Sequence, residues 1–158
     1  TSTEEESLAP NLGMQITGYQ GKRRKILVVD DLDNNREVLS NFLTNLDFVV
    51  IEADSGDEAI AKAAEHQPDL VILDLVMPQL NGLEVATILR QNSAWQDLPI
   101  IIVSASTLPA DESQCYLSGA NAFLAKPLDF DYLLLLLGIH LQLEWLTEDH
   151  SIIESFDL

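Results

Sequence analysis

Between Lys25 and Ala125 five short apolar runs recur, KILVV, FVVIE, DLVIL, IIIVS and AFLA, and a helical pattern fills each interval between them. The runs are continuous rather than alternating in polarity, so both faces of each strand are expected to be covered. Such strands separated by helices imply a parallel sheet with right-handed crossovers, an α/β architecture. In the first interval Val38, Phe42 and Leu46 recur every fourth position with Leu39 and Leu43 beside them, and Asp33 or Asn34 is the expected cap. GDEAIAKAAEH reads as a second helix stopped by Pro68, and residues 83–91 as a third. Residues 109–118 read as a fourth helix closed by Gly119, and a fifth runs from about Asp129 to Trp145. Pro99 opens a strand, where a missing amide is tolerated.

The expected boundaries are a linker over 1–21, a folded domain over 22–145 and a tail over 146–158. Chain length, 158 residues, allows one domain with an ordinary core. The 26 acidic and 8 basic side chains give a net charge of −18, which disfavours nucleic acid as a partner. Half of the cations sit in Lys22-Arg23-Arg24-Lys25, read as a solvated run that ends the linker. The single cysteine, Cys115, excludes an internal disulfide and a cysteine cluster for zinc, and it carries no redox signal. The longest apolar run, YLLLLLGI, is too short to insert in a membrane. A chain that starts at Thr1 reads as a fragment or a processed product. The last helix has leucine on every side over Leu133–Leu137. Either the two tails cover it, or it exposes an apolar patch for a homodimer or a docked kinase. Gly138 slightly weakens that helix, and His140 and His150 read as surface residues.

The chemistry lies at the ends of the strands. Four of them end in Asp30-Asp31, Asp74, Ser104 and Lys126, and a parallel sheet sends all four ends to one rim, where open α/β sheets bind ligands. Three carboxylates at one rim raise each other's pKa and call for a cation. A hard divalent ion with oxygen ligands, Mg²⁺, suits them. Lys126, the sole Lys or Arg after Arg90, adds a fixed positive charge, and Ser104 adds a hydroxyl. Together these groups suit a phosphoryl group, with the central Asp74 as nucleophile. Taken singly, each residue also has a plain structural reading: a turn former, a cap or a backbone hydrogen-bonder.

KILVVDD, DLVILDLVMPQLNG, PIIIVSAS and GANAFLAKPL resemble, in order and spacing, the receiver domain of two-component response regulators. The resemblance spans about Lys25 to Leu143. It implies a flavodoxin-like three-layer fold, with a five-stranded parallel sheet of order 2-1-3-4-5, counted from KILVV, and five helices. It also implies that Asp74 accepts a phosphoryl group from a phosphohistidine on a histidine kinase or histidine phosphotransfer domain. Mg²⁺ is then held by Asp31, Asp74 and the backbone carbonyl of Val76, with Asp30 acting through water. Ser104 bonds the phosphoryl oxygen, Lys126 pairs with Asp74 and then with phosphate, and Phe123 is the aromatic that follows Ser104. Their movement switches the face made by the last two helices and the strand between them. The Lys126–Pro127 bond is implied to be cis, and Val76 and Ser106 occupy positions that tune acyl-phosphate lifetime. Such a module is a cytoplasmic signalling domain rather than an enzyme. DDLDNNREVL, ITGYQGKRRKILVVDD and HLQLEWL look like receivers of hybrid sensor histidine kinases of cyanobacterial type.

Three other readings compete. A metal-dependent phosphohydrolase with an aspartyl-phosphate intermediate expects DxD on its first strand, against the adjacent Asp30-Asp31 here. A flavodoxin expects a hydroxyl-rich phosphate loop after the first strand. A scaffold that never takes phosphate has no use for a complete acidic site.

Overall fold

The computed structural model describes residues 16–105 and 108–148, together with the backbone of 152–153. Ser106 and His150 therefore lie outside the described residues. In chain order the elements are β1 Ile16–Tyr19, β2 Lys25–Val29, α1 Asp33–Thr44, β3 Val49–Ala53, α2 Gly56–His66 and β4 Leu70–Asp74. They continue with α3 Gly82–Gln91, a 3₁₀ turn at Ser93–Trp95, β5 Ile100–Ser104, α4 Pro109–Leu117, β6 Ala122–Ala125, α5 Phe130–Leu141, β7 Trp145–Thr147 and β8 Ile152–Ile153. Five strands form a parallel sheet in the order β3-β2-β4-β5-β6. Counted from β2, this is the flavodoxin-like order 2-1-3-4-5.

Strand alternation divides the core into two layers. Ile26, Val28, Leu70, Ile72, Ile101, Val103, Ala122 and Leu124 pack against Leu39 and Leu43 of α1 and the leucines of α5. Leu27, Val29, Val71, Leu73, Ile100 and Ile102 pack against α2, α3 and Cys115 of α4. Since every strand residue faces one helical layer or the other, the strands read as unbroken apolar runs.

The helix ends explain several local departures from the expectations. In α1 the buried leucines are Leu39 and Leu43, with Leu46 buried just after its end, while Val38 is 58% exposed and Phe42 is only half-buried. Neither Asp33 nor Asn34 caps α1: the cap position is Leu32, with no side-chain bond, and Asp33 is bonded by Arg36 instead. Ser55 caps α2, and Asn81 with Glu84 forms a reciprocal capping box on α3. Gln67, in the left-handed conformation, ends α2 one residue before Pro68. Gly119, with φ +109, follows the end of α4.

The last helix is shorter than expected. It stops at Leu141 because Gln142 turns left-handed, with φ 55. The chain then reverses, and Trp145 enters β7 rather than continuing the helix. β7 pairs antiparallel with β1 and with β8, so a second sheet of order β1-β7-β8 forms. Residues 16–19 thus form a strand within the domain rather than linker, and 146–147 belong to a strand rather than a tail. Ile16, Tyr19, Phe48, Leu143 and Trp145 share one buried cluster with Leu133, Leu134, Leu136, Leu137 and Leu141 of α5. Of Leu133–Leu137, all but the half-buried Leu135 are therefore buried within the chain, in a cluster that joins the parallel sheet to this annex. His140 is half-buried, and burial lowers its pKa.

The basic run is solvated as expected, with Lys22, Arg23 and Lys25 exposed and Arg24 half-buried, and three of its four side chains also donate to backbone carbonyls. Arg24 Nη1 donates to Leu141 O at the end of α5, Arg23 Nε to Asp47 O just after α1, and Lys25 Nζ to His66 O at the end of α2. Cations suit helix C-termini, whose last carbonyls lack partners and carry partial negative charge. Among the described residues no helix is long and apolar enough to cross a membrane.

Candidate functional site

Parallel register delivers the predicted residues to one rim. β2 runs into Asp30, β4 ends at Asp74, β5 at Ser104, and Lys126 follows β6. The Asp30 amide donates to Ala53 O at 3.2 Å, and the Lys126 amide to Ser104 O at 2.8 Å, so the ladders extend to the site itself. After β4 the chain turns through residues 75–81. Leu75 N–H donates to Val103 O at 2.9 Å and Gly82 N–H to Leu75 O at 2.8 Å. A Cβ at Gly82 would lie 2.6 Å from Asp74 O, so only glycine lets α3 start directly against the backbone of Asp74.

Carboxylate oxygens of Asp30, Asp31 and Asp74 lie within 4.8 Å of one another. Lys126 Nζ stands 3.5 Å from Asp30 Oδ2 and 3.5 Å from Asp74 Oδ2. The Asp74 and Asp30 side chains are only 8% and 10% exposed, and that of Lys126 25%. One cation thus faces three carboxylates in a poorly solvated recess. Burial, and then the Asp30 carboxylate, push the Asp74 pKa up to about 6, against the pull of Lys126 and of a 3.4 Å bond from Val76 N–H. This shortage of positive charge among hard oxygen donors fits Mg²⁺, and the carboxylates of Asp30, Asp31 and Asp74 are the groups that could hold it.

Ser104 is fully buried. By strand alternation it shares a face with Ile100 and Ile102, the face on which Phe123 packs. Phe123 is paired with Ile102 and Ala125 with Ser104, so the two proposed switch residues are diagonal neighbours on adjacent strands. Val76 is 69% exposed beside the acceptor. Lys126–Pro127 is cis. Cys115 is buried, which raises its thiol to about 11 and leaves it unreactive at neutral pH.

Two features of the site were not read from the sequence. A groove of about 590 Å³ opens beside Asp74 between α1 and the start of α5, lined by Val38, Leu39, Pro127, Leu128 and Phe130 among others. The exposed Val38 forms part of it. The second feature is Arg36, which donates to Asp30 O, Asp33 Oδ1 and Glu52 Oε1. Its signal was its isolation, since it is the sole Lys or Arg between Lys25 and Lys62.

Comparison with known proteins agrees with this geometry. The sequence profile of the response regulator receiver domain matches residues 26–137. The chain is 39% identical over 108 residues to the transcriptional regulatory protein ResD of Bacillus subtilis, covering 68% of this chain and 44% of ResD. It is 30% identical over 105 residues to the polar-differentiation response regulator DivK of Brucella ovis, covering 66% of this chain and 85% of DivK. Among solved structures, the chemotaxis protein CheY4 of Vibrio cholerae superposes with a TM-score of 0.71 at 31% identity, over 75% of this chain and 98% of CheY4. The receiver domain of a signal transduction histidine kinase from Syntrophus aciditrophicus gives 0.64 at 27% identity, over 70% and 83% of the two chains. With its five-stranded order, its acidic rim and a profile match over most of its length, the chain belongs to the response regulator receiver domain family.

Proposed function

We propose that Asp74 is the phosphoacceptor of a two-component phosphorelay. A carboxylate oxygen of Asp74 attacks the phosphorus of a partner's phosphohistidine. The P–N bond breaks, the imidazole leaves with its electron pair, and an acyl phosphate forms on Asp74. Asp31, Asp74 and the Val76 carbonyl would hold Mg²⁺, with Asp30 assisting through water. When bound, the ion offsets the negative charge that builds on the transferring phosphoryl oxygens. Lys126 pairs with Asp74 before transfer and with a phosphoryl oxygen after it, and Ser104 donates its hydroxyl to another. As Ser104 moves, Phe123 turns toward the space it leaves, and the face made by α4, β6 and α5 repacks. Val76 and Ser106 bear on how long the acyl phosphate lasts.

The observation that carries this reading is one lysine within 3.5 Å of two carboxylates that share a 4.8 Å cluster with a third. The partner is a histidine kinase or a histidine phosphotransfer domain, and the apolar groove beside Asp74 is where its helix lies. The chain acts in the cytoplasm as a signalling module of a hybrid sensor kinase, comprising a receiver over 22–145 with its flanking strands. The apolar patch available to a homodimer through the last helix is narrow, since Leu133, Leu134, Leu136 and Leu137 are buried within the chain and Leu135 alone of the five is partly exposed. A phosphohydrolase is not favoured, because the acceptor lies on β4 while the first strand of the parallel sheet ends in adjacent aspartates.

The test is Mg²⁺-dependent labelling by a small phosphodonor, together with beryllofluoride binding, in the parent and in Asp74→Asn. Labelling of the parent alone is expected. Equal labelling of both proteins would remove Asp74 from the role.

A further inference from the structure

Asp30 is held at every polar group it has. Its amide donates to Ala53 O at 3.2 Å, and its Oδ1 accepts from Leu32 N–H at 2.9 Å. Its Oδ2 lies 3.5 Å from Lys126 Nζ. Its carbonyl oxygen accepts from Arg36 Nη1 at 2.8 Å. The other arms of the same guanidinium are occupied. Nη2 donates to Asp33 Oδ1 at 2.6 Å and Nε to Glu52 Oε1 at 3.0 Å. The Arg36 side chain is 15% exposed, whereas its partners Asp33 and Glu52 are 87% and 46% exposed. A guanidinium that gives up hydration for two exposed carboxylates and one backbone carbonyl acts as a brace, and the braced carbonyl belongs to the Asp30–Asp31 peptide unit. That unit sets where the Asp31 carboxylate stands relative to Asp74. The brace joins the first turn of α1, Asp30 just after β2 and Glu52 near the end of β3, so it ties the acidic loop to the helix and to the neighbouring strand.

We propose that Arg36 is a positioning residue for the acidic site: its fork on Asp30 O fixes the Asp30–Asp31 peptide so that Asp31 and Asp74 present their oxygens to one divalent cation. This rests on the acceptor reading above. Three acceptors in three directions match the planar fork of arginine and not the single ammonium of lysine. Arg36→Lys therefore keeps the charge and loses the brace, which separates position from electrostatics.

The experiment is a calorimetric titration of the metal-free chain with MgCl₂, beside thermal melts without metal, for the parent, Arg36→Lys, Arg36→Gln, Glu52→Gln and Asp74→Asn. Outer-sphere partners of metal ligands change affinity by about tenfold or more, so both Arg36 variants should bind Mg²⁺ about tenfold more weakly. Phosphodonor labelling should recover as Mg²⁺ is raised to saturation. Glu52→Gln, which leaves the donor to Asp30 O in place, should bind within about twofold of the parent on the same scale. Arg36 variants that melt earlier yet bind Mg²⁺ as the parent does would show a structural brace only and overturn the proposal. So would full retention of affinity in Arg36→Lys. If the parent shows no Mg²⁺ binding that Asp74→Asn removes, the acceptor reading falls and takes this inference with it. If the parent binds, Asp74→Asn does not and the Arg36 variants match the parent, the inference alone falls.

Discussion

The two ends of the parallel sheet are built with opposite charge and opposite completeness. At the carboxyl ends of the strands, Asp30, Asp31 and Asp74 share one close cation, Lys126, and Asp74 is held above the usual carboxylate range. At the amino ends, Arg24 and Lys25 donate to the last carbonyls of α5 and α2, Arg23 to Asp47 O in the loop after α1, and Arg90 to Gly119 O and Trp95 O. One rim is left with unbalanced charge and suits a ligand. The other has its charge absorbed by backbone and holds the helices. Removing side chains from the first rim should cost function and gain stability, and removing them from the second should cost stability and leave ligand binding unchanged.

The largest effect is expected in the annex, at the end away from the acceptor. Trp145 is fully buried and packs edge-on to Tyr19 and Phe48, with ring centroids 6.2 and 6.4 Å away. Trp145→Ala should lose about 3–5 kcal/mol in urea unfolding, the range for a large aromatic removed from a core. The fraction that remains folded should bind beryllofluoride with the parent's affinity. Affinity that falls with stability would mean that the two ends are coupled, and the contrast would fail.

Asp74→Asn tests the acidic rim with the opposite sign. The carboxylate has an ordinary value of 3.8 when unfolded and about 6 in the fold. Between these values the folded chain keeps a proton that the unfolded chain has lost, so metal-free stability falls as pH rises from about 4 to about 6 and stays low above. The shift corresponds to about 2–3 kcal/mol at most. In the absence of metal, Asp74→Asn should melt several degrees above the parent at pH 7.5 and show a flatter profile between pH 4 and 6. Excess Mg²⁺ should close the gap by stabilising the parent alone. Asp31→Asn should also melt higher without metal. A parent as stable as both variants would mean that its carboxylates are already compensated.

The same contrast explains what the sequence disclosed. Each strand carries its own signature, an unbroken apolar run, and the residue at its end follows immediately, so Asp30, Asp31, Asp74, Ser104 and Lys126 could be placed on one rim without contacts. The opposite end depends on partners remote in the chain. ITGY, with Thr17 and Gly18 at its centre, is no apolar run, and β1 finds β7 only after more than a hundred residues. The backbone bonds made by the basic run could not be read from the sequence, because their acceptors are carbonyls brought to it from two helix ends and one loop. The end of α5 was overrun because Gln142 takes a left-handed conformation that glycine usually signals. Side-chain chemistry at the strand ends was therefore legible, whereas backbone acceptors and distant pairings were not.

Arg24 gives a smaller effect on the basic rim. Its guanidinium donates to Leu141 O at 3.2 Å, and its backbone amide donates to Tyr19 Oη at 2.9 Å. Arg24→Ala removes only the first bond and should cost about 1.5–2 kcal/mol, within the range for a charged hydrogen bond. That loss should be the same with and without Mg²⁺, and a metal-dependent loss would break the separation of the two rims.

Gly138→Ala sharpens the contrast by sign rather than size. On helix propensity alone, alanine should stabilise an interior helical position by about 1 kcal/mol. In α5, however, the new Cβ would lie 2.9 Å from Trp145 Nε1 and 3.6 Å from its Cε2. The indole is fully buried between Tyr19, Phe48 and the helix, so it cannot swing away as an exposed side chain would. Overpacking of this kind costs about 1–3 kcal/mol, which exceeds the propensity gain. The expected net result is a loss of about 0.5–1.5 kcal/mol in chemical denaturation, from the difference of those two effects. The measurement gains force when repeated on Trp145→Ala. With the indole gone the clash is gone, and Gly138→Ala should then stabilise the chain. A glycine that gains from alanine in both backgrounds would mean that the annex does not press on α5, and that its leucines are free for another partner.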